Sequence, residues 1–390
     1  MHGFSADLLM LLVLLGGAFL GPILSSRLRM PSAILLIGFG LLVGPHLLGW
    51  VKDTTVVAFL SEVGFILLMF LAGLEIDFNG IRRRGRNSLL LMFSICLVIF
   101  GLSFGAAFFL GLHPIFGLAM GATSVGLPLA VLKEMNRLRS PLGQQILLLG
   151  SVGEFLTVLG MTLFYFGARY GLSWELAFGL GKLVGVLLVA GLTLSIGNAL
   201  AWWRPHSFSN LVATHESSEI GVRASLLIMV AFSSLAIWAG VEPIVGAFLA
   251  GALIAFVFRG KEVLEEKLSV VGHGLFVPIF FVVVGLRFDP AAVTGPNLLL
   301  AGQLLLAVFL ARLLPSLSLI RQGLSPREML GAVSLLSAPL TLVVAIAALG
   351  VNLGVINSRD NNTLILLAVM AGVIFPVLFR LLASKQGKKT

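Results

Sequence analysis

Two ionisable residues sit where long apolar runs leave little water to receive them. Glu154 lies near the middle of the stretch 147–166, inside Gly150-Ser151-Val152-Gly153-Glu154-Phe155. A charged group at that depth of a membrane span costs at least ~3 kcal/mol and is a functional site by default. Gly150, Ser151 and Gly153 share its turn and allow a neighbouring helix to approach closely. Arg312 lies within the apolar run 297–318. With a rise of about 1.5 Å per residue, it reaches a depth close to that of Glu154, within the span of an arginine stem. The chemistry such a pair can perform is reversible charge neutralisation: a carboxylate takes up a proton or a cation, and an arginine serves as charge partner. The alternatives are a structural ion pair for Glu154 and a guanidinium reaching back to the interface for Arg312.

Other charges read as local. Lys182 can reach the outer interface, Glu62 sits in the outer third of its run, His273 opens a run, and Glu242 precedes Pro243 in a loop. Glu75 and Asp77 stand beside the basic cluster Arg82, Arg83, Arg84 and Arg86. There is no metal-ligand spacing, phosphate loop or nucleophile triad, so an enzyme is not expected. The single cysteine, Cys96, excludes a disulfide framework.

The elements that must position these groups follow from composition. Of the 390 residues, 58% are hydrophobic and only 11% charged, too apolar for a soluble domain and the reverse of a disordered chain. Thirteen apolar runs of roughly span length can be read between residues 7 and 384. They are continuous and do not alternate in polarity, which predicts an all-α polytopic membrane protein and not a barrel. The run 175–203 is unusually long. Assigning Lys and Arg to successive loops places twenty on one side: Arg27, Arg29, the four at 82–86, Lys133, Arg137, Arg139, Arg204, Arg223, Arg259, Lys261, Lys267, Arg321, Arg327, Arg380, Lys385, Lys388 and Lys389. Lys52, Arg169, Arg287 and Arg359 fall on the other. By the positive-inside rule the N-terminus is expected outside and the C-terminus in the cytoplasm. The same scatter over short loops accounts for the net charge of +9 without a nucleic-acid partner.

Two echoes share nearly one offset. Gly73-Leu74-Glu75-Ile76-Asp77-Phe78 closes the third run and Gly285-Leu286-Arg287-Phe288-Asp289 the tenth. Leu127-Pro128-Leu129 lies in the fifth and Ala338-Pro339-Leu340 in the twelfth. The third and tenth runs end on opposite sides, so six spans mirror six others, with the seventh as linker. This is the inverted-repeat architecture of many secondary transporters. Pro128 and Pro339 are expected to open their helices. Thr123, Ser124 and Gly126 flank the first, and Ser334, Ser337 and Thr341 the second. Irregular backbone at that depth is tolerated only in protein or facing a cavity.

The chain resembles the cation:proton antiporter superfamily, in its Kef-type and bacterial sodium/proton antiporter branch (monovalent cation:proton antiporter-2 type). The resemblance rests on Arg29-Met30-Pro31 with Gly38-Phe39-Gly40-Leu41-Leu42-Val43-Gly44-Pro45, and on Glu62-Val63-Gly64 through Phe70-Leu71-Ala72-Gly73-Leu74-Glu75. It continues in Thr123-Ser124-Val125-Gly126, Gly246-Ala247-Phe248-Leu249-Ala250-Gly251 and Pro278-Ile279-Phe280-Phe281-Val282-Val283-Val284-Gly285-Leu286. It implies thirteen transmembrane helices with two broken, crossing helices, the sodium/proton antiporter fold. A dimerisation domain would comprise 1–88 and 221–290, a core ion-transport domain 89–168 and 297–384, a linker helix 169–204, and a cytoplasmic tail 385–390. It places the ion-binding carboxylate at Glu154 and the family's basic residue at Arg312.

Two regions depart from the family pattern. Glu154 stands where the family usually has Asp and follows Gly153, where relatives often carry a second Asp, Asn or Gln, and Pro339-Leu340-Thr341-Leu342 is uncharged, where many carry Pro-Arg-Gly-Glu. The expected function is electroneutral exchange of Na+ or K+ for protons in the cell inner membrane by an elevator motion. Thr123, Ser124 and Ser151 would complete the monovalent-cation shell at Glu154, and no cofactor is needed beyond the transported ions. The expected partners are membrane lipid, a second copy in a homodimer and a separate cytoplasmic regulatory subunit. The alternatives are a transport-silent sensor or subunit on the same fold, and a channel-like K+ efflux protein.

Overall fold

The computed structural model describes residues 2–28, 31–76, 85–171, 219–238, 243–257 and 262–384, with isolated positions between 181 and 192. The expected linker run falls almost wholly outside them. So do Lys182, Glu242, Asp77, Arg82, Arg83, Arg84 and the tail from 385.

All regular structure among the described residues is helical. Among the described residues ten segments are long and apolar enough to cross a membrane, and Ser32–Val43 and Pro243–Phe256 are shorter apolar helices. The spread of burial sorts them. The most hydropathic window of Asp7–Ser25 is 22% buried, that of Pro114–Leu132 78% and that of Pro326–Asn352 89%. The last two therefore meet protein on nearly every face, as irregular backbone at membrane depth requires. Leu12, Phe19, Leu227 and Trp238 instead expose their side chains outward, suited to acyl chains.

The helices cluster into two compact units. The first comprises Met1–Phe19, Val51–Phe78 and Thr162–Val283. In it α1 (His2–Leu28) contributes its first part. α3 (Thr55–Leu74) crosses α9 (Pro243–Val257), and α8 (Ile220–Trp238) packs on α9. The crossing is at backbone distance. A Cβ on Gly73 would stand 2.1 Å from the Phe248 carbonyl oxygen, and one on Gly251 2.0 Å from that of Phe70. Only glycine fits at either point. Leu67, Phe70, Leu71, Met229, Ala250 and Leu268 fill the core around it. α10 (Glu262–Val271) runs through a π turn at Gly272–Phe276 into α11 (Val277–Leu286).

The second unit comprises Leu20–Trp50, Asn79–Met161 and Val284–Thr390. It contains α2 (Ser32–Val43), α4 (Gly85–Phe109), α5 (Pro114–Gly121), α6 (Gly126–Glu134) and most of α7 (Pro141–Tyr170). It also contains α12 (Gly295–Ser316), α13 (Pro326–Leu336), α14 (Leu340–Asn352) and α15 (Ser358–Ser384). Gly285 repeats the Gly73 contact here: its Cβ would lie 1.9 Å from the Ile37 carbonyl oxygen.

Two spans of this unit are interrupted. α5 and α6 are halves of one, and α13 and α14 halves of the other. The half-helices associate in pairs, α14 on α5 and α13 on α6. The first interruption covers residues 122–125 and lies ahead of Pro128, which was expected to mark it. The reason is the reach of proline, which removes the hydrogen bond to residue i−4 and clashes with that carbonyl. For Pro128 that residue is Ser124. Pro128 itself sits in the first turn of α6, where its missing N–H costs nothing. The second break falls at its proline: Ser337 and Ala338 close α13, and Pro339 precedes α14 with φ −81° and ψ 54°.

Candidate functional site

At the first break both ends of the interrupted helix meet side chains carried by other helices. The C-terminus of α5 leaves carbonyls without intrahelical donors. The Arg312 guanidinium, carried on α12, donates to Met120 O at 2.8 Å, to Ala122 O, and to Val308 O of its own helix at 3.0 Å. Thr123 Oγ1 donates to Gly121 O at 3.3 Å. Three consecutive carbonyls, Met120 to Ala122, are thereby satisfied. A cation at the negative end of a helix is also favoured by its dipole.

The N-terminus of α6 faces the opposite charge. Val125 N donates to Glu154 Oε2 at 3.1 Å, and Ser124 Oγ to Glu154 Oε1 at 3.4 Å. Glu154 and Arg312 are each 1% exposed, so both charges act in a medium of low dielectric, where such interactions are strongest. The anion meets the positive half-helix end and the cation the negative one. Among the described residues the guanidinium's hydrogen bonds all go to main-chain carbonyls, and its Nε has no partner. The two charges thus address opposite ends of one break.

α7 brings Glu154 to that break along a stripe of small residues. A Cβ on Gly153 would lie 2.7 Å from Thr123 Cβ, and one on Gly150 3.3 Å from Val125 Cγ2. The position before the carboxylate is closed to any side chain while Thr123 holds its place. Ser151, one turn before Glu154, is buried at 4% exposure.

Thr157 completes the support and was not among the residues singled out from sequence. Its hydroxyl donates to Gly153 O at 2.7 Å and accepts from Thr123 N at 3.1 Å, tying α7 to the unwound segment. The one sequence signal was its place three residues after Glu154, on the same face. Of the predicted residues, Thr123, Ser124, Glu154 and Arg312 converge on the first break. Pro339 belongs to the second, which is closed by its own hydroxyls: Ser337 Oγ donates to Val333 O and Ser334 Oγ to Leu330 O, both at 2.7 Å.

This arrangement can alternate between two neutral states. The carboxylate, with Ser124 and the carbonyls of an unwound backbone nearby, offers hard oxygen ligands suited to a monovalent cation and a site for a proton.

The chain as a whole is similar to known proteins. Residues 14–385 match the family described as sodium/hydrogen exchanger, transmembrane. A Bacillus subtilis protein, YjbQ, whose name marks it as a candidate Na+/H+ antiporter, is 31% identical over 99% of this chain. The chain spans 64% of that relative's length. The Na+/H+ antiporter of Enterococcus hirae is 32% identical over 72% of each chain. The solved structure of the sodium proton antiporter MjNhaP1 from Methanocaldococcus jannaschii superposes with a TM-score of 0.67, covering 99% of both chains at 20% identity. That likeness establishes the fold.

Proposed function

The chain belongs to the transmembrane sodium/hydrogen exchanger family, and from that premise we propose that it exchanges a monovalent cation, Na+ or K+, for a proton at Glu154. It is a multi-pass membrane protein of the antiporter fold. The observation that carries the reading is a fully buried carboxylate at the positive half-helix end of an interrupted span. An uncompensated charge in a dry interior is costly, so Glu154 crosses the barrier only when loaded with a proton or a cation. One carboxylate carries one charge each way, which makes the exchange electroneutral. Ser124, Thr123 and Ser151 supply oxygens near the ion. Arg312 serves as the standing countercharge for the α5 end, leaving the carboxylate to the transported ion.

An elevator motion of the core domain (89–168 and 297–384) against a dimerisation domain (1–88 and 221–290) delivers the ion, in a thirteen-helix homodimer with inverted repeats. The repeat is supported by paired packing points. Gly73 against Phe248 and Gly285 against Ile37 are the same contact with the two halves exchanged, at offsets of 212 and 211 residues. Pro128 and Pro339, one in each interrupted span, are also 211 residues apart. The N-terminus outside, the C-terminus cytoplasmic and a cytoplasmic regulatory partner complete the proposal.

The test is proton flux in proteoliposomes under imposed Na+, K+ or Li+ gradients, with the membrane potential clamped. Cation-dependent proton movement unaffected by the clamp is the expected result. Cation flux without proton movement would identify a channel-like path, and no flux with any cation would identify a transport-silent subunit.

A further inference from the structure

The span Val263–Leu286 of the first unit changes character part-way along its length. Every residue from Val277 to Leu286 is buried. Ahead of them Val263, Glu266, Val270, His273 and Gly274 are all exposed, Val270 at 70%. These positions recur every three or four residues and make one face of α10 and of the π turn that follows it. Leu268 and Gly272 are buried, and a Cβ on Gly272 would stand 2.5 Å from Leu71 of α3. One side of the segment is therefore open from the end that the loop charges assign to the cytoplasm as far as His273, and closed beyond it. At about 1.5 Å per residue, His273 lies about 15 Å below Val263.

From sequence His273 opens an apolar run. In the structure the span already begins at Val263, and the imidazole is exposed deep within it. An ionisable side chain at such depth faces a bundle interior or water, because acyl chains do not solvate it. The backbone makes the same demand. The Val277 N–H donates to Gly272 O, a π-type bond that interrupts the α-helical ladder. Irregular backbone at membrane depth is tolerated only inside protein or along a water-filled cavity. A Cβ on Gly274 would meet nothing within 4 Å, so protein does not cover this side of the turn.

The charges are arranged to match. Lys267 Nζ donates to Glu219 Oε2 at 2.8 Å and is held by an acid outside α10. Glu265 is half-buried and has a partner of its own. Among the described residues no hydrogen bond engages Glu266 or His273. α3 meets the π turn through Gly64, Leu67 and Leu71, none of which titrates. Its acid Glu62 stands two residues before Gly64, about 200° round the helix. The titratable groups of the open face are thus Glu266 near its mouth and His273 at its floor.

We propose that this face lines a water-filled lane open to the cytoplasm, and that His273 at its floor takes up and releases the protons moved in exchange. The relay rests on the exchange reading above. An imidazole titrates near neutral pH. A ring nitrogen of neutral His273 accepts a proton from lane water, and the imidazolium returns it through water towards the Glu266 carboxylate and the cytoplasm. Proton uptake runs the same path in reverse.

The experiment has two arms, both on the full chain. The one cysteine, Cys96, is buried, so Val270→Cys and His273→Cys are made in a Cys96→Ala background. Leu227→Cys, exposed on α8, is the lipid-side control. A membrane-impermeant cationic methanethiosulfonate is applied to inverted and to right-side-out vesicles. Both lane cysteines should react from the cytoplasmic side at least about tenfold faster than the control, and not from the other side. No labelling of either overturns the lane, and labelling only in detergent assigns the face to lipid or a second copy instead. In the second arm, His273→Gln in weakly buffered proteoliposomes should lower cation-dependent proton flux about tenfold, and imidazole in the medium should restore it. Unchanged flux in the folded variant, or a loss that imidazole does not restore, overturns the relay. Labelling is read without transport, so a native chain that exchanges nothing would remove the relay together with the exchange reading and leave the lane decided on its own.

Discussion

The second unit contains two interrupted helices that solve one problem in opposite ways. At Ser337–Pro339 the broken backbone is satisfied from within. Ser337 N bonds to Val333 O and Ser334 O, Ser337 Oγ returns to Val333 O, and Leu340 N bonds to Ala338 O. At 122–125 the ends are satisfied from outside, by an arginine of α12 and a glutamate of α7. A self-closed break bends a helix at low electrostatic cost. A break closed by two buried charges is expensive to build, and its anion changes charge when a proton or cation binds. In the proposed exchange the first break is the site, and the second is the matched scaffold that lies against it through the pairs α14–α5 and α13–α6.

Substitutions at the two breaks can destroy or refine this contrast. Glu154→Gln keeps the shape and removes the charge, and should reduce cation-dependent proton flux to that of empty liposomes. Arg312→Met leaves Met120 O and Ala122 O without donors, and should lower unfolding stability in detergent by about 3 kcal/mol with loss of exchange. Gly153→Ala forces a Cβ against Thr123, at a cost of about 1–3 kcal/mol, and should weaken transport more than it weakens folding. Thr157→Val removes the hydroxyl that accepts from Thr123 N. It should cost about 1 kcal/mol and raise the cation concentration for half-maximal flux, with Thr157→Ser restoring it. Ser337→Ala at the second break should cost less than about 1 kcal/mol and leave exchange unchanged, because Val333 O keeps its bond from Ser337 N. An effect of Ser337→Ala on flux as large as that of Arg312→Met would erase the distinction between the breaks.

Much of this was legible because charge is scarce. In a chain so apolar, Glu154 and Arg312 stood out by position alone, and the hydroxyls beside Pro128 marked the unwound segment. What the sequence left open was geometric. Helical rise gives the depth of a residue but not the direction it faces, so depth alone brought Arg312 near Glu154. In the folded chain the guanidinium reaches the carbonyl end of α5, and the carboxylate the amide end of α6. Proline predicted that the helix opens, but the opening falls at the carbonyl it obstructs, four residues earlier. Thr157 escaped notice because a threonine in an apolar span carries no charge signal, and its role arises only once α7 meets the break. Gly153 reads from sequence as a missing polar neighbour. In the structure it is the contact that lets the carboxylate reach Val125 N.

The most direct test of Glu154 as the exchange site is sodium-22 or rubidium-86 uptake into proteoliposomes driven by an outward proton gradient, comparing the native chain with Glu154→Gln at equal reconstituted amounts. The account predicts gradient-driven uptake by the native chain and none above background by the variant, with both proteins unfolding at similar temperatures. Full uptake by a folded Glu154→Gln protein would contradict it.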